Sequence, residues 1–237
     1  MNTNLQTPIF RQLFDQESST YTYLIADPET KEAVIIDPVY EKYERDESLI
    51  KNLGLKLLYI LETHVHADHV TSASKLKTRF NAKIAISKNS GNQCADIGLV
   101  DNQILQFGRF EIKALPTPGH TNGCMSFLFQ NMVFTGDSLM IGLAGRTDFQ
   151  EGSSEKLYES VQSQLFTLSE DTLVYPGHDY QGFTVSTIGE EKKFNKRLGG
   201  GKTEQEFSSI MSSLNLPKPK KIDIAVPANM VCGVKKT

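Results

Sequence analysis

The chain is expected to fold as an α/β protein, and three features of its 237 residues predict this class. Short apolar runs such as Leu57-Leu58-Tyr59-Ile60-Leu61 recur along it and read as buried strands. Amphipathic helical periodicities lie between them, and the runs end in turns built from Gly, Pro and Asp. Such alternation favours sheets covered by helices.

Residues 21–25 and 33–36 read as a hairpin around the turn Asp27-Pro28-Glu29. From Tyr40 onward, Leu49, Ile50 and Leu53 share a helical face that stops at Gly54, a favourable C-cap residue. The strand at 57–61 follows. A helix is expected from Asp68, with Val70, Ala73, Leu76 and Phe80 along its buried face. Further strands are expected at 84–86, 104–107, 110–115, 124–129, 132–134 and 172–175. Leu157, Val161, Leu165 and Leu168 define a helix capped by Ser153 or Ser154. Thr203 and Glu206 form a capping box ahead of Phe207, Ile210, Met211 and Leu214, and Pro217 lies beyond the end. No repeat, low-complexity tract or linker interrupts the pattern. It reads as one domain, 1–237, with a short C-terminal extension from about residue 195.

Hydrophobic residues at 39% and charged ones at 22% exclude disordered and collagen-like classes. A net charge of -3 leaves no electrostatic footprint for nucleic acid or an anionic membrane, so a small soluble substrate is expected. No apolar stretch is long enough to span a bilayer, and residues 1–10 carry neither a signal-peptide pattern nor an Arg-rich leader. Cys94, Cys124 and Cys232 are odd in number and lack Cys-x-x-Cys spacing, which points to a reducing compartment rather than a disulfide framework. Cys94 and Cys124 read as packing residues, and Cys232 as an inert thiol with nothing local to lower its pKa. A cytoplasmic protein is expected, or one of the mitochondrial matrix for a processed eukaryotic form. No helix face is apolar enough to name as an interface, which leaves a homodimer open.

The chemistry concentrates at Thr63-His64-Val65-His66-Ala67-Asp68-His69, where three imidazoles and a carboxylate follow a buried strand. On an extended backbone His64 and His66 point to the same side, with Asp68 and His69 arriving from the first turn of the next helix. Pro116-Thr117-Pro118-Gly119-His120 stiffens a second strand end. Thr135-Gly136-Asp137-Ser138 places a carboxylate after a third, and Pro176-Gly177-His178-Asp179-Tyr180 a histidine after a fourth. All five histidines sit at strand-end turns, the distribution expected of a metal site.

These ordered motifs, Thr-His-x-His-x-Asp-His, Pro-Gly-His-Thr, Thr-Gly-Asp and Gly-His-Asp-Tyr, resemble the metallo-β-lactamase superfamily over nearly the whole chain. The resemblance implies a four-layer αββα sandwich of the metallo-β-lactamase type, with metal at one edge of its two sheets. Gly145-Arg146-Thr147-Asp148-Phe149, Gly182-Phe183-Thr184-Val185-Ser186-Thr187, Leu214-Asn215-Leu216-Pro217-Lys218-Pro219 and Ala225-Val226-Pro227-Ala228-Asn229 look like the persulfide dioxygenases within it. That likeness implies one Fe(II) per chain on His64, His120 and Asp137, a facial triad with three open positions. His66, Asp68 and His69 would surround it, His178 and Asp179 would orient ligands, and Thr121 and Thr135 would flank them. The implied reactants are glutathione persulfide and O₂, giving sulfite and glutathione. Arg146, Tyr180 and Arg197 are the candidates to hold the substrate, although Asp148 offers Arg146 a competing ion pair and Arg197 could equally be a solvated helix-end charge. The glyoxalase II thioesterases are the relatives with different chemistry. They would place a Zn(II) pair on His64, His66 and His120 and on Asp68, His69 and His178, with Asp137 bridging. Counting ligands does not choose between the two.

Overall fold

The computed structural model describes residues 7–234; the start of the leader reading and the last residues of the tail, 235–237, lie outside them. The first half builds a six-stranded sheet from β1 (Ile9–Asp15), β2 (Thr20–Ala26), β3 (Glu32–Ile36), β4 (Lys56–Leu61), β5 (Lys83–Ser87) and β6 (Ile97–Leu99), in that spatial order. The first three strands pair antiparallel and the rest parallel, with helices α1 (Tyr43–Asn52) and α2 (Ala73–Phe80) as crossovers. The second half repeats the scheme with β7 (Ile104–Phe107), β8 (Phe110–Pro116), β9 (Met125–Phe129), β10 (Met132–Gly136), β11 (Leu173–Pro176) and β12 (Ser186–Thr187). Only β10 and β11 are parallel there, joined through α3 (Ser154–Ser160). Then come α4 (Ile188–Phe194), α5 (Glu204–Ser213) and α6 (Ile222–Asn229).

Alternation along the strands makes the four layers. In β2, Tyr23 and Ile25 face the second sheet and pack with Phe107, Phe127 and Phe134, while Leu24 and Ala26 turn to Ile50 and Leu76 of α1 and α2. Every residue of β2 is therefore buried, as in a strand covered on both faces. Val133 and Val174 pack outward from the second sheet against Leu157, Val161 and Phe207. The result is helix, sheet, sheet, helix, as the resemblance implies.

Several local expectations need correction. The helix predicted from Asp68 begins at Ala73, because amides of the preceding loop find distant partners: Thr71 N–H donates to Asn229 Oδ1 and Ser72 N–H to the Pro38 carbonyl. β1, β6 and β12 are additional strands, and α4 is an additional helix with its own capping box, Thr187 and Glu190. The apolar tail after Lys221 is helix α6. The cysteine reading also changes. Cys94 and Cys232 form a disulfide with Cα atoms 6.0 Å apart, although 138 positions separate them in sequence. The tail folds back onto the first sheet, a contact that spacing cannot reveal. Cys124 is the free, buried thiol. Among the described residues no helix is long and apolar enough to cross a membrane.

Candidate metal centre

Each donor emerges from the end of a strand: His64 after β4, His120 after β8, Asp137 after β10 and His178 after β11. Both sheets thus feed one edge. Two glycines let these turns approach. A Cβ at Gly136, whose φ is +50°, would lie 2.6 Å from Thr63 Oγ1, and one at Gly119, φ +139°, would lie 2.3 Å from the backbone of Leu157. The first lets the end of β10 abut the His64 loop; the second seats the His120 turn on α3.

Three groups of donors have atoms within 4.8 Å of one another: His64, His120 and Asp137; His66, Asp68 and His69; and Asp37, Glu62 and His66. Hydrogen bonds fix the tautomers in the first group. Thr63 Oγ1 donates to Asp37 Oδ2 (2.8 Å), so it accepts from His64 Nδ1–H at 3.0 Å and leaves His64 Nε2 as the lone-pair donor. His120 Nδ1–H donates to the Arg146 carbonyl at 2.6 Å, which frees its Nε2, 3.5 Å from Asp137 Oδ2. His178 Nδ1–H faces the Ser19 carbonyl (3.2 Å), and its Nε2 lies 3.5 Å from Asp137 Oδ1 and 3.7 Å from Asp68 Oδ2. Asp137 Oδ1 and His69 Nε2 are buried without a hydrogen-bond partner among the described residues. Asp137, with one oxygen orphaned, groups with His64 and His120, whose Nε2 atoms are free, and this set fits a bound cation.

The electrostatics agree. Burial, and then the neighbouring rings of His66 and His120, push His64 well below the usual histidine range, which keeps its imidazole neutral for coordination. Burial raises Asp68, but His69 and His178 outweigh it and hold the carboxyl well below its ordinary value. His66 differs. Burial works against its charge, yet Asp37 and Glu62, at 3.1 and 3.4 Å from Nε2, raise it well above the usual range. An imidazole facing two buried carboxylates is held as their counter-ion.

A cavity of about 440 Å³ opens onto the first group. His64, Asp68, His120, Asp137 and His178 line it, whereas His66 and His69 do not. Tyr180 stands at its mouth, 66% exposed, with its ring parallel to that of His178 at 6.0 Å. Arg146 lines the wall but is engaged: Nε and Nη2 donate to the two oxygens of Asp148 (2.7 Å each), and Nη1 donates to the Pro217 carbonyl. The competing role foreseen for it is the one its geometry fits. Arg197 also lines the cavity, with one hydrogen bond to the Ala144 carbonyl and no carboxylate partner among the described residues. Burial lowers its pKa.

Asp179 stands outside the cavity wall. Its Oδ2 accepts the backbone N–H groups of Gln181, Gly182 and Phe183 and so shapes the next turn, in place of the ligand-orienting position expected of it. Thr121 pairs with the Cys124 sulfur and Thr135 donates to the Leu139 carbonyl, so both hydroxyls stabilise turns. Asp37, Glu62 and Asn229 are the participants that motif reasoning misses. Asp37 ends a buried strand as the other donors do, and that signal could have found it. Asn229 closes the Ala225–Asn229 stretch that carries the resemblance, but nothing there signals its role, because its partners lie on a distant loop.

Sandwich and donor set together define a metallohydrolase-like oxidoreductase or hydrolase class, and the family model of the metallo-beta-lactamase superfamily matches residues 16–178. The chain is 50% identical over 230 residues to human "Persulfide dioxygenase ETHE1, mitochondrial", covering 96% of this chain and 89% of that protein. The crystal structure of ETHE1 from Myxococcus xanthus superposes with a TM-score of 0.93 at 50% identity, covering 95% of this chain and all of that one. A metallo-beta-lactamase from Staphylococcus aureus superposes with a TM-score of 0.86 at 26% identity, covering 95% and 72%. The chain belongs to the persulfide dioxygenase family of the metallo-beta-lactamase superfamily.

Proposed function

We propose that this protein is a sulfur dioxygenase that converts glutathione persulfide, O₂ and water to glutathione, sulfite and two protons. The terminal sulfur gives up four electrons and O₂ accepts them, so no further reductant is needed. The geometric observation behind the reading is that, of the three donor groups, only His64, His120 and Asp137 lie entirely on the cavity. We assign one Fe(II) to them; when bound, it supplies open positions where persulfide and O₂ react as neighbours.

The chain's residues do the rest. Thr63 and the Arg146 carbonyl hold the His64 and His120 rings with Nε2 forward. His178 Nε2 faces Asp137 and Asp68 and so orients the ligand carboxylate; those carboxylates raise His178 despite its burial. Arg197 is the free cation for a glutathione carboxylate, and the Tyr180 ring walls the mouth. Arg146 acts by clasping the segment at Leu216 and Pro217 over the cavity. We place the protein in the cytoplasm, or in the matrix for a processed form, as the name of the human relative suggests.

The second donor group, His66, Asp68 and His69, favours a two-metal thioesterase as the second reading. The two carboxylates on His66 argue against it. Metal analysis with an oxygen electrode tests both: one iron per chain and oxygen uptake with glutathione persulfide are expected. Two zinc ions, thioester cleavage and no oxygen uptake would overturn the proposal.

A further inference from the structure

Helix α6 ends on Asn229, buried beneath the loop that runs from His64 to α2. Its Nδ2 donates to the carbonyls of His66 (2.9 Å) and His69 (2.8 Å), and its Oδ1 accepts the Thr71 N–H (2.9 Å). One side chain therefore pins three residues of a loop that has no helix or strand ladder of its own. Asn229 is itself held from behind by residues 92–94. Asn92 Nδ2 donates to the Asn229 carbonyl (2.8 Å), the Gln93 N–H donates to the Met230 carbonyl (3.2 Å), and Cys94 is bonded to Cys232. A water-sized cavity beside this contact is lined by Glu62 and His64 together with Asn92, Asn229 and Cys232. Of the three fastenings, only the disulfide responds to thiols.

We propose that the Cys94–Cys232 disulfide is a redox latch on the metal-binding loop, and that Asn229 is the positioning residue through which it acts. Cys232 is buried and Cys94 only partly so, which makes the Cys94 sulfur the point of attack for a low-molecular-weight thiol. The first thiolate bonds to Cys94 and releases Cys232 as a thiol; a second displaces Cys94. Two thiols become one disulfide, and their two electrons and two protons end on the cysteines. The two hydrogen bonds from residues 92–93 and that of the Ser74 N–H to the Cys232 carbonyl (3.1 Å) then remain on the 229–232 segment, the Asn229 clasp loosens, and the ligand loop holds metal less well. The inference rests on metal binding alone and not on the choice of substrate.

The test uses the full metal-loaded chain, air-equilibrated or reduced and desalted. Alkylation after denaturation counts thiols, and a chromogenic chelator reads the rate of metal release. One alkylated cysteine, Cys124, is expected before reduction and three after. Reduction should speed metal release by about tenfold, the effect of losing a group that orients a ligand shell. Cys94→Ser should release metal at the reduced rate with no response to thiol. Asn229→Ala should release it at least as fast, with reduction adding nothing, since both changes act along one route. Equal release from oxidised and reduced wild type overturns the proposal, and that comparison needs no variant to fold. Three thiols before reduction, or full acceleration by thiol in Asn229→Ala, overturns it as well. Because metal release is read rather than turnover, failure here stays distinct from failure of the dioxygenase reading.

Discussion

Arg146 and Arg197 look alike in sequence and differ in what they already hold. Arg146 has its fork on Asp148 and the Pro217 carbonyl; Arg197 faces the cavity with no anionic partner among the described residues. Replacing Arg197 by Ala should therefore raise KM for glutathione persulfide by about 10- to 100-fold, the worth of a charge-assisted hydrogen bond, with bound metal content unchanged. Steady-state kinetics beside metal analysis check this. Arg146→Ala should instead loosen the 216–217 wall, and its KM rise should come with a lowered Tm. Asp46 carries a different prediction. Burial, partly offset by Arg45, raises its pKa to about 6, and its Oδ2 has no hydrogen-bond partner among the described residues. The folded state thus binds a proton that the unfolded chain releases near pH 4. Stability should fall as pH rises from about 4 to 6 and stay lowered above that range. Asp46→Asn, which can still accept from Arg45 Nε, should remove this slope and gain roughly 1–3 kcal/mol at pH 7.5. Urea unfolding at pH 4 and 7.5 reads both values. The gathering of the candidate donors was legible at this scale, because histidines after strands leave a mark in sequence. Their orienting partners were not: Asn229 and Glu62 matter through contacts made only after folding.

At the scale of elements, the two capping boxes show what sequence carries. Thr203 with Glu206 announces α5, and Thr187 with Glu190 has the same spacing and caps α4. The second was missed because α4 is short and its neighbours lack a long apolar stripe. Thr187→Ala should cost about 1 kcal/mol in denaturant unfolding, by freeing the Glu190 N–H. The late start of α2 was not legible, since what breaks the expected helix is a set of amide partners on β3 and α6 sides of the fold. The disulfide was illegible for the same reason. It closes a loop across 138 positions, and Cys94→Ala should cost about 2–5 kcal/mol under oxidising conditions and little in excess thiol. Paired thermal scans with and without reductant decide that.

For the whole molecule, periodicity established strands and helices, but the four-layer arrangement came only from the family resemblance that the ordered motifs carry. Short buried strands do not say which sheet they join, and β10 pairs with β11 across the whole of α3. Metal adds a term of its own to stability. An ion that binds only the folded chain, at a hundredfold excess over its Kd, contributes about 2.7 kcal/mol, so chelation should lower the Tm by roughly 5–10 °C. Calorimetry before and after chelation reads the shift. The origin of the donors sharpens this expectation. His64 leaves the first sheet, while His120, Asp137 and His178 leave the second. An ion held between them is a suture across the seam of the two halves, and a nascent chain can load it only when both halves have met. Metallation then serves as a checkpoint on assembly: in refolding experiments, uptake of the ion should lag the docking of the sheets and never precede it.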